Sequence, residues 1–493
     1  MRRSQATGAG ASLDLLDSAE AGSTAVRGGA VRVAGYGVGV LLSLGSAGLL
    51  LRHLGVENSG RYYVVASLAA LAGQFAEAGL TAIGMREWAV RPDDERRRFL
   101  ADLLGLRIVL TVLAIAGATA FAAIAGYRPA MIAGTALVGL SLLLLQIQLT
   151  YAVPLMAGLR LGWVTVAELL RQIGTVALVV LFVALGAGLL PFYAATIPPV
   201  FLALGVTCAL VRGRLRFTPS FHAERWLGVL RETLPFALAT AVAAVYLRVA
   251  IIIVSLVSSD RQLGYFSVSF RVVEVLVLVP QLVVSAAFPI FARAARDDHD
   301  RLGYGLGRMF DACLALGLAL ALTLAAAAPF LIRLIAGGDF EPAAPVLRIQ
   351  GLTLVAAFTT AVWSYALLSL RRHREILLVN LVALVTCTAL TLVLADRHGA
   401  RGAALATTIA EVLLTILLFV ALRRSAQSVR VRIDYAPRIV AAAACAAATI
   451  LIPGPGSLAR LVITLATYGI ALLAFRAVPP ELRAAAVGLR SRP

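Results

Sequence analysis

Apolar residues in this chain come in blocks of about twenty, one after another from residue 30 to residue 475, and nothing limits its fold more. A helix needs about 20 apolar residues to cross a hydrocarbon core about 30 Å thick. Inside that core no water satisfies the backbone, so only helices and closed barrels span it. Apolar blocks of this length read as helical spans. Fourteen can be marked, at about 30–51, 62–85, 99–125, 130–157, 161–186, 189–211, 234–257, 263–290, 306–335, 345–370, 375–395, 402–422, 438–452 and 458–475. The expected fold is an all-α polytopic membrane protein with about 14 transmembrane helices. Segment 438–452 is short and mostly alanine, which leaves open twelve spans plus an interfacial pair. Composition agrees: 14% of the 493 residues are charged, against about a quarter in a soluble domain.

The formal net charge is +18, and every basic residue is an arginine. Without lysine there is no phosphate loop of the nucleotide-hydrolysing kind. Placement explains the charge better than nucleic acid does. With the N-terminus inside the cell, 31 of the 44 arginines fall on the tails and even-numbered loops, and nine on the odd-numbered loops. By the positive-inside rule both termini are cytoplasmic. A plasma-membrane location with both tails inside is expected. The remaining four, Arg107, Arg171, Arg248 and Arg271, lie within spans. The loops are short, so whatever the protein does happens inside the membrane. Cys208, Cys313, Cys387 and Cys445 lie far apart in apolar segments, without metal-ligand spacing, and read as small hydrophobes. No metal or cofactor is expected. Arg2 and Arg3 begin no twin-arginine signal, because no apolar core follows closely.

The two halves of the chain resemble each other. L-G-V-E-N-S-G-R-Y-Y-V-V-A-S links spans 1 and 2, and V-S-S-D-R-Q-L-G-Y-F-S-V-S links spans 7 and 8. R-P-D-D-E-R-R-R follows span 2, and A-R-D-D-H-D-R follows span 8. These pairs predict two six-helix lobes related by a pseudo-twofold axis normal to the membrane, an arrangement that places substrate between the halves. The boundaries read as a disordered tail at 1–27, a first lobe at 28–212, a linker at 213–230 and a second lobe at 231–424. A helix pair at 425–477 and a cytoplasmic tail at 478–493 complete the chain.

Polar residues inside spans are costly and point to function or to one another. Span 8 carries Gly264, Ser267, Arg271, Glu274, Gln281 and Ser285 on one helical face. Span 2 carries Ser67, Gln74, Glu77 and Thr81 on a similar face, and span 1 offers Tyr36. Arg248 sits mid-span with no acid within reach on its own helix; Glu77 is the expected protein partner. The simplest arrangement has spans 1, 2, 7 and 8 lining one cavity, with Arg248, Arg271, Glu274, Gln74, Glu77, Tyr36 and Gln281 as candidate substrate-binding residues. Arg271 and Glu274, at i and i+3, can equally pair with each other. The stripe Thr165, Glu168, Gln172 and Thr175 on span 5, with Arg171 beside it, is expected to stabilise the first lobe internally.

The stretches L-L-R-H-L-G-V-E-N-S-G-R-Y-Y-V-V-A-S, F-A-E-A-G-L-T-A-I-G-M-R-E-W-A and G-A-R-G-A-A-L-A-T carry a resemblance over roughly residues 28–425. The chain resembles the oligosaccharide-flippase branch of the multidrug/oligosaccharidyl-lipid/polysaccharide exporter superfamily. The resemblance implies alternating access of two six-helix lobes around an often basic cavity, with a polyprenyl-diphosphate-linked glycan as cargo. It implies a role in cell-surface polysaccharide or lipopolysaccharide biosynthesis, alongside glycosyltransferases and a polymerase. Spans 13 and 14 depart from the twelve-helix pattern; the related lipid II flippases have such a pair.

The sequence thus favours a flippase driven by membrane potential or an ion gradient, proton or sodium, with Glu77 or Glu274 as the coupling group. Its partners are the lipid-linked glycan and membrane lipids, not nucleic acid. A lipid II flippase is an alternative. A drug/cation antiporter is another, which mid-membrane arginines disfavour. An enzyme would need carboxylates on substantial outer loops, whereas Glu57, Asp260, Asp339, Glu341 and Asp396 are scattered on short turns.

Overall fold

The computed structural model describes residues 21–158, 160–212, 218–426, 429–454 and 456–477. The side chains of 21–41 and 44 lie outside that description, as do both expected tails up to residue 20 and from residue 478, and residues 213–217 of the expected linker. Every regular element among the described residues is helical. The first are α1 (Ala21–Glu77), α2 (Leu80–Val90), α3 (Asp93–Ile124) and α4 (Pro129–Ala157). Next come α5 (Leu161–Ala184), the short α6 (Leu189–Ala194), α7 (Ile197–Arg212) and α8 (Ala223–Val257). Then follow α9 (Asp260–Asp297), α10 (His299–Ala336), α11 (Ala344–Ser369), α12 (His373–Ser425), α13 (Ala436–Ala448) and α14 (Ser457–Ala474). Helix α1 begins at Ala21, so residues 21–27, assigned to a disordered tail by composition, are helical.

Among the described residues, 11 helical stretches are long and apolar enough to cross a membrane. His373–Ser425 contains two of the expected apolar segments, Gly45–Val90 contains one and the end of another that α1 covers in full, and Ala436–Leu451 is a shorter apolar helix. All fourteen segments therefore coincide with helices. A straight 57-residue helix would be about 85 Å long, almost three hydrocarbon thicknesses. Helix α1 avoids this by breaking at Gly55, with φ 70° and ψ −179°, and α12 breaks at Gly399, with φ 55° and ψ −134°. Positive φ strains a residue with a Cβ, and glycine adopts it freely. In each case two of the expected spans are joined through a single non-helical residue. A third break, at Ala78 and Gly79, with φ 43° and 78°, separates α1 from α2.

By contacts the chain divides into two compact units, residues 1–49 with 68–238, and residues 50–67 with 239–493. In the first, α4 packs on α3 and α7, and α5 packs on α7. Its core gathers Leu80, Phe99, Leu100, Leu103, Leu106 and Val153. In the second, α11 is central and packs on α9, α10 and α12. Trp363 of α11 is buried between Phe310 of α10 and Phe419 of α12, each 5.0 Å away between ring centroids. Two hydroxyl pairs spaced seven residues apart tie α11 to α12: Thr353 to Thr408 at 2.8 Å and Thr360 to Thr415 at 2.6 Å. Apolar burial drives little association between helices in lipid, so small residues and interhelical hydrogen bonds hold such pairs. Helices α13 and α14 pack on α10, where Tyr468 donates to the Ala315 carbonyl at 3.0 Å.

Residues 50–67 group with the second unit for an identifiable reason, although the sequence boundaries put them in the first lobe. A Cβ on Gly60 would lie 2.8 Å from the Gly264 backbone nitrogen, so the two backbones touch with no side chain between them. Arg61 is buried there, donating to Asp260 at 2.6 Å and to Asn58 at 2.7 Å. The two turns whose sequences resemble each other meet at their glycines.

Candidate functional site

In the second unit, α8 and α9 bring two arginines onto one carboxylate. Arg271 and Glu274 lie one turn apart on α9 and pair at 2.9 Å. Arg248 of α8 pairs with the other oxygen of the same carboxylate. Arg248 therefore finds its partner on the neighbouring helix. The Phe270 ring lies 5.8 Å from the Arg248 guanidinium, and Arg271 faces Tyr62 and Tyr63. The three charged side chains are 23–28% exposed. One carboxylate offers two oxygens to two planar forks of five donors each, so the cluster has net charge +1 and more donors than acceptors. Arginine forks match carboxylate and phosphate geometry, which makes the cluster suited to an oxyanion that competes with Glu274.

The expected pairing of Arg248 with Glu77 is corrected. Glu77 belongs to the first unit and is occupied there twice. Its Oε2 accepts from Arg107 of α3 at 3.0 Å, and its Oε1 accepts from the Thr81 backbone N–H at 3.0 Å. The backbone break at Ala78 and Gly79 allows the second contact, because Glu77 then caps the start of α2. Arg107 is fully buried and also donates to the hydroxyls of Thr81 at 2.9 Å and Thr150 at 3.2 Å and to the Gln146 carbonyl at 3.4 Å. Sequence reading counted Arg107 among the intramembrane arginines and gave it no role. The signal was available, since Thr81, Gln146 and Thr150 are polar residues in the adjoining spans.

The other candidates are spread out. Gln281 is exposed, ten residues beyond Arg271 on α9, which is about 15 Å of helix. Gln74 is exposed in the first unit. The side chain of Tyr36 lies outside the described residues. On α5, Glu168 pairs with Arg171 and accepts from Gln172 at 3.0 Å. Glu168 and Gln172 border a cavity of about 240 Å³ that Gln148 of α4 and Thr207 of α7 also line.

One intramembrane acid escaped sequence reading altogether. Glu411 lies in the second arm of α12, 9% exposed, and accepts from the Tyr246 hydroxyl at 2.6 Å.

Residues 25–295, more than half the chain, match the model of a family described as polysaccharide biosynthesis proteins. The chain belongs to this family. Among solved structures, this polysaccharide biosynthesis protein is similar to a lipid II flippase, MurJ, in an inward closed conformation. The identity is 13%, the match covers 90% of this chain and 98% of that one, and the TM-score is 0.73. An inward-facing multidrug resistance MATE family transporter of the MOP superfamily matches at 14% identity over 80% and 95% of the two chains, with a TM-score of 0.63. A MOP superfamily transporter from Pyrococcus furiosus, whose binding pocket is described as of reverse polarity, matches at 16% over 87% and 100%, with a TM-score of 0.57. At these identities the likeness is one of fold. Comparison with curated protein sequences gives no match. Family and fold together make the chain a multi-pass membrane protein of the polysaccharide biosynthesis family with the fold of these transporters.

Proposed function

We propose that this protein moves a polyprenyl-diphosphate-linked oligosaccharide from the inner to the outer leaflet of a bacterial plasma membrane, for cell-surface polysaccharide synthesis. The observation that carries the reading is the Arg248–Glu274–Arg271 cluster. In a chain of the polysaccharide biosynthesis family, a bilayer-level cluster of net positive charge fits an anionic headgroup, and a lipid diphosphate is one. The diphosphate displaces Glu274 from the guanidiniums as it enters, and Glu274 returns as it leaves. The same positive charge disfavours a cationic drug as cargo. Lipid II is also a polyprenyl diphosphate, and the match to a lipid II flippase extends over most of this chain, so that cargo is the second reading. Movement follows alternating access of two six-helix lobes, with both termini in the cytoplasm, and draws on an ion gradient or the membrane potential. It is transport, not catalysis.

The test is reconstitution. Proteoliposomes holding the purified protein and a fluorescent polyprenyl-diphosphate oligosaccharide should expose the labelled lipid to a membrane-impermeant quencher faster than empty liposomes do. No acceleration with any polyprenyl-diphosphate glycan, together with uptake of a cationic dye, would overturn the proposal.

A further inference from the structure

Glu411 differs from every other buried acid among the described residues. Glu77, Glu274 and Asp311 each lie within ion-pair distance of an arginine, and Asp102 lies within that distance of Arg225. Glu411 has no cation so placed. The groups that face it are Tyr246 from α8, Thr360 from α11 and Cys387 from the first arm of α12. Helix α9 also packs on α12, and none of its charged or titratable side chains is among the groups that face Glu411. An ionised carboxylate so buried, at the middle of an apolar helix, has no counter-charge among the described residues to offset its desolvation.

Its surroundings suit both protonation states. Tyr246 donates to Oε2 at 2.6 Å. The Thr360 hydroxyl faces the Glu411 carboxyl and lies 2.6 Å from that of Thr415, which reaches the Ala356 and Glu411 carbonyls, each at 3.0 Å. With a proton on the carboxyl, the bonds run from Glu411 to Thr360, to Thr415 and on to a backbone carbonyl. Without it, the Thr360 hydroxyl turns round and donates to the carboxylate. No donor is orphaned in either state.

We infer that Glu411 is a proton-carrying site, protonated in the conformation described here, and that Tyr246 relays its proton loss to helix α8. Tyr246 and Arg248 are two residues apart, hence about 200° apart around the helix. One face of α8 therefore meets the proton site while the opposite face presents Arg248 to Glu274. A carboxylate at 411 holds the tyrosine harder than a neutral carboxyl does, and any shift or roll of α8 that follows moves Arg248 on its carboxylate. The proton goes to bulk water and returns from it, with no other bond changed. This assignment rests on the transporter reading and replaces Glu77 and Glu274, both paired with arginine, as the coupling group.

The test reads the proton and not the cargo. Infrared difference spectra of the full-length protein in lipid nanodiscs, recorded in H₂O and D₂O at neutral pH, should show the carbonyl stretch of a protonated carboxylic acid. Glu411→Gln should lose that band, and Tyr246→Phe, which keeps the ring, should shift it. A band unchanged in well-folded Glu411→Gln, or one that Tyr246→Phe leaves in place, would overturn the assignment. If Glu411→Gln does not fold, an unshifted band in Tyr246→Phe alone overturns it. Because no glycan is present, failure of the flippase reading would leave this result intact, and the reverse also holds.

Discussion

Glu274 holds two guanidiniums, and that inequality makes the three charges of the cluster respond differently to mutation. Arg248→Ala leaves Glu274 paired with Arg271, so no buried charge is stranded. Glu274→Gln leaves two half-buried guanidiniums facing a neutral amide. Breaking a fully buried pair costs about 3–5 kcal/mol; with about a quarter of each side chain exposed, about 1–3 kcal/mol is expected for Glu274→Gln, and less for Arg248→Ala. Thermal unfolding in detergent checks the order. Transport should show the opposite order, with Arg248→Ala abolishing glycan movement at near-normal protein levels and Arg248→Lys restoring only part of it, since an ammonium lacks the fork. Restored movement in the double variant Arg248→Ala, Glu274→Gln would show that Arg248 is only a counter-ion. The arginine and the acid of this cluster were legible in the sequence, but their pairing was not. Which residue of α9 stands opposite Arg248 depends on the stagger of two helices, which a one-dimensional pattern does not contain. Glu411 was missed for a different reason: a single acid without polar neighbours at helical spacing makes no stripe.

At the scale of elements, the two broken helices should not tolerate alanine equally. A Cβ at Gly55 would meet no atom within 4 Å, so Gly55→Ala carries only the conformational cost of positive φ with extended ψ, about 1–3 kcal/mol. At Gly399 the same Cβ would lie 2.6 Å from the Gln262 side-chain oxygen, which accepts from the Ala400 N–H at 3.0 Å. Gly399→Ala should therefore cost about 1 kcal/mol more, for the displaced hydrogen bond. Equal melting temperatures for the two variants would contradict this. Apolar run length located these helices well, because the bilayer sets one length for all of them. Their breaks fell where the sequence turned polar around a glycine. The sequence did not signal that residues 50–67, on either side of the Gly55 break, pack against α9, since long-range packing of a hairpin tip leaves no periodic mark.

For the whole molecule, the distribution of arginines makes an orientation measurable. With the native cysteines replaced, single cysteines at the exposed positions Arg261 and Asp339 should react with an impermeant maleimide in intact cells. Cysteines at the exposed positions Arg374 and Arg424 should react only after permeabilisation. The reverse pattern would invert the topology. The arginine count alone carries this expectation, and the fold by itself is indifferent to which side is which.

The touching backbones of Gly60 and Gly264 govern how fast anything can slip past that point. Side chains in an ordinary constriction swing aside within picoseconds to nanoseconds, and small ions exploit such openings. Here the closest contact is backbone on backbone, so swinging the neighbouring Leu263 and Val56 side chains does not open it. A gap appears only when a whole helix moves, on the microsecond-to-millisecond scale of collective motion. Leakage at this junction is thereby set by the same slow clock as any turnover that parts it.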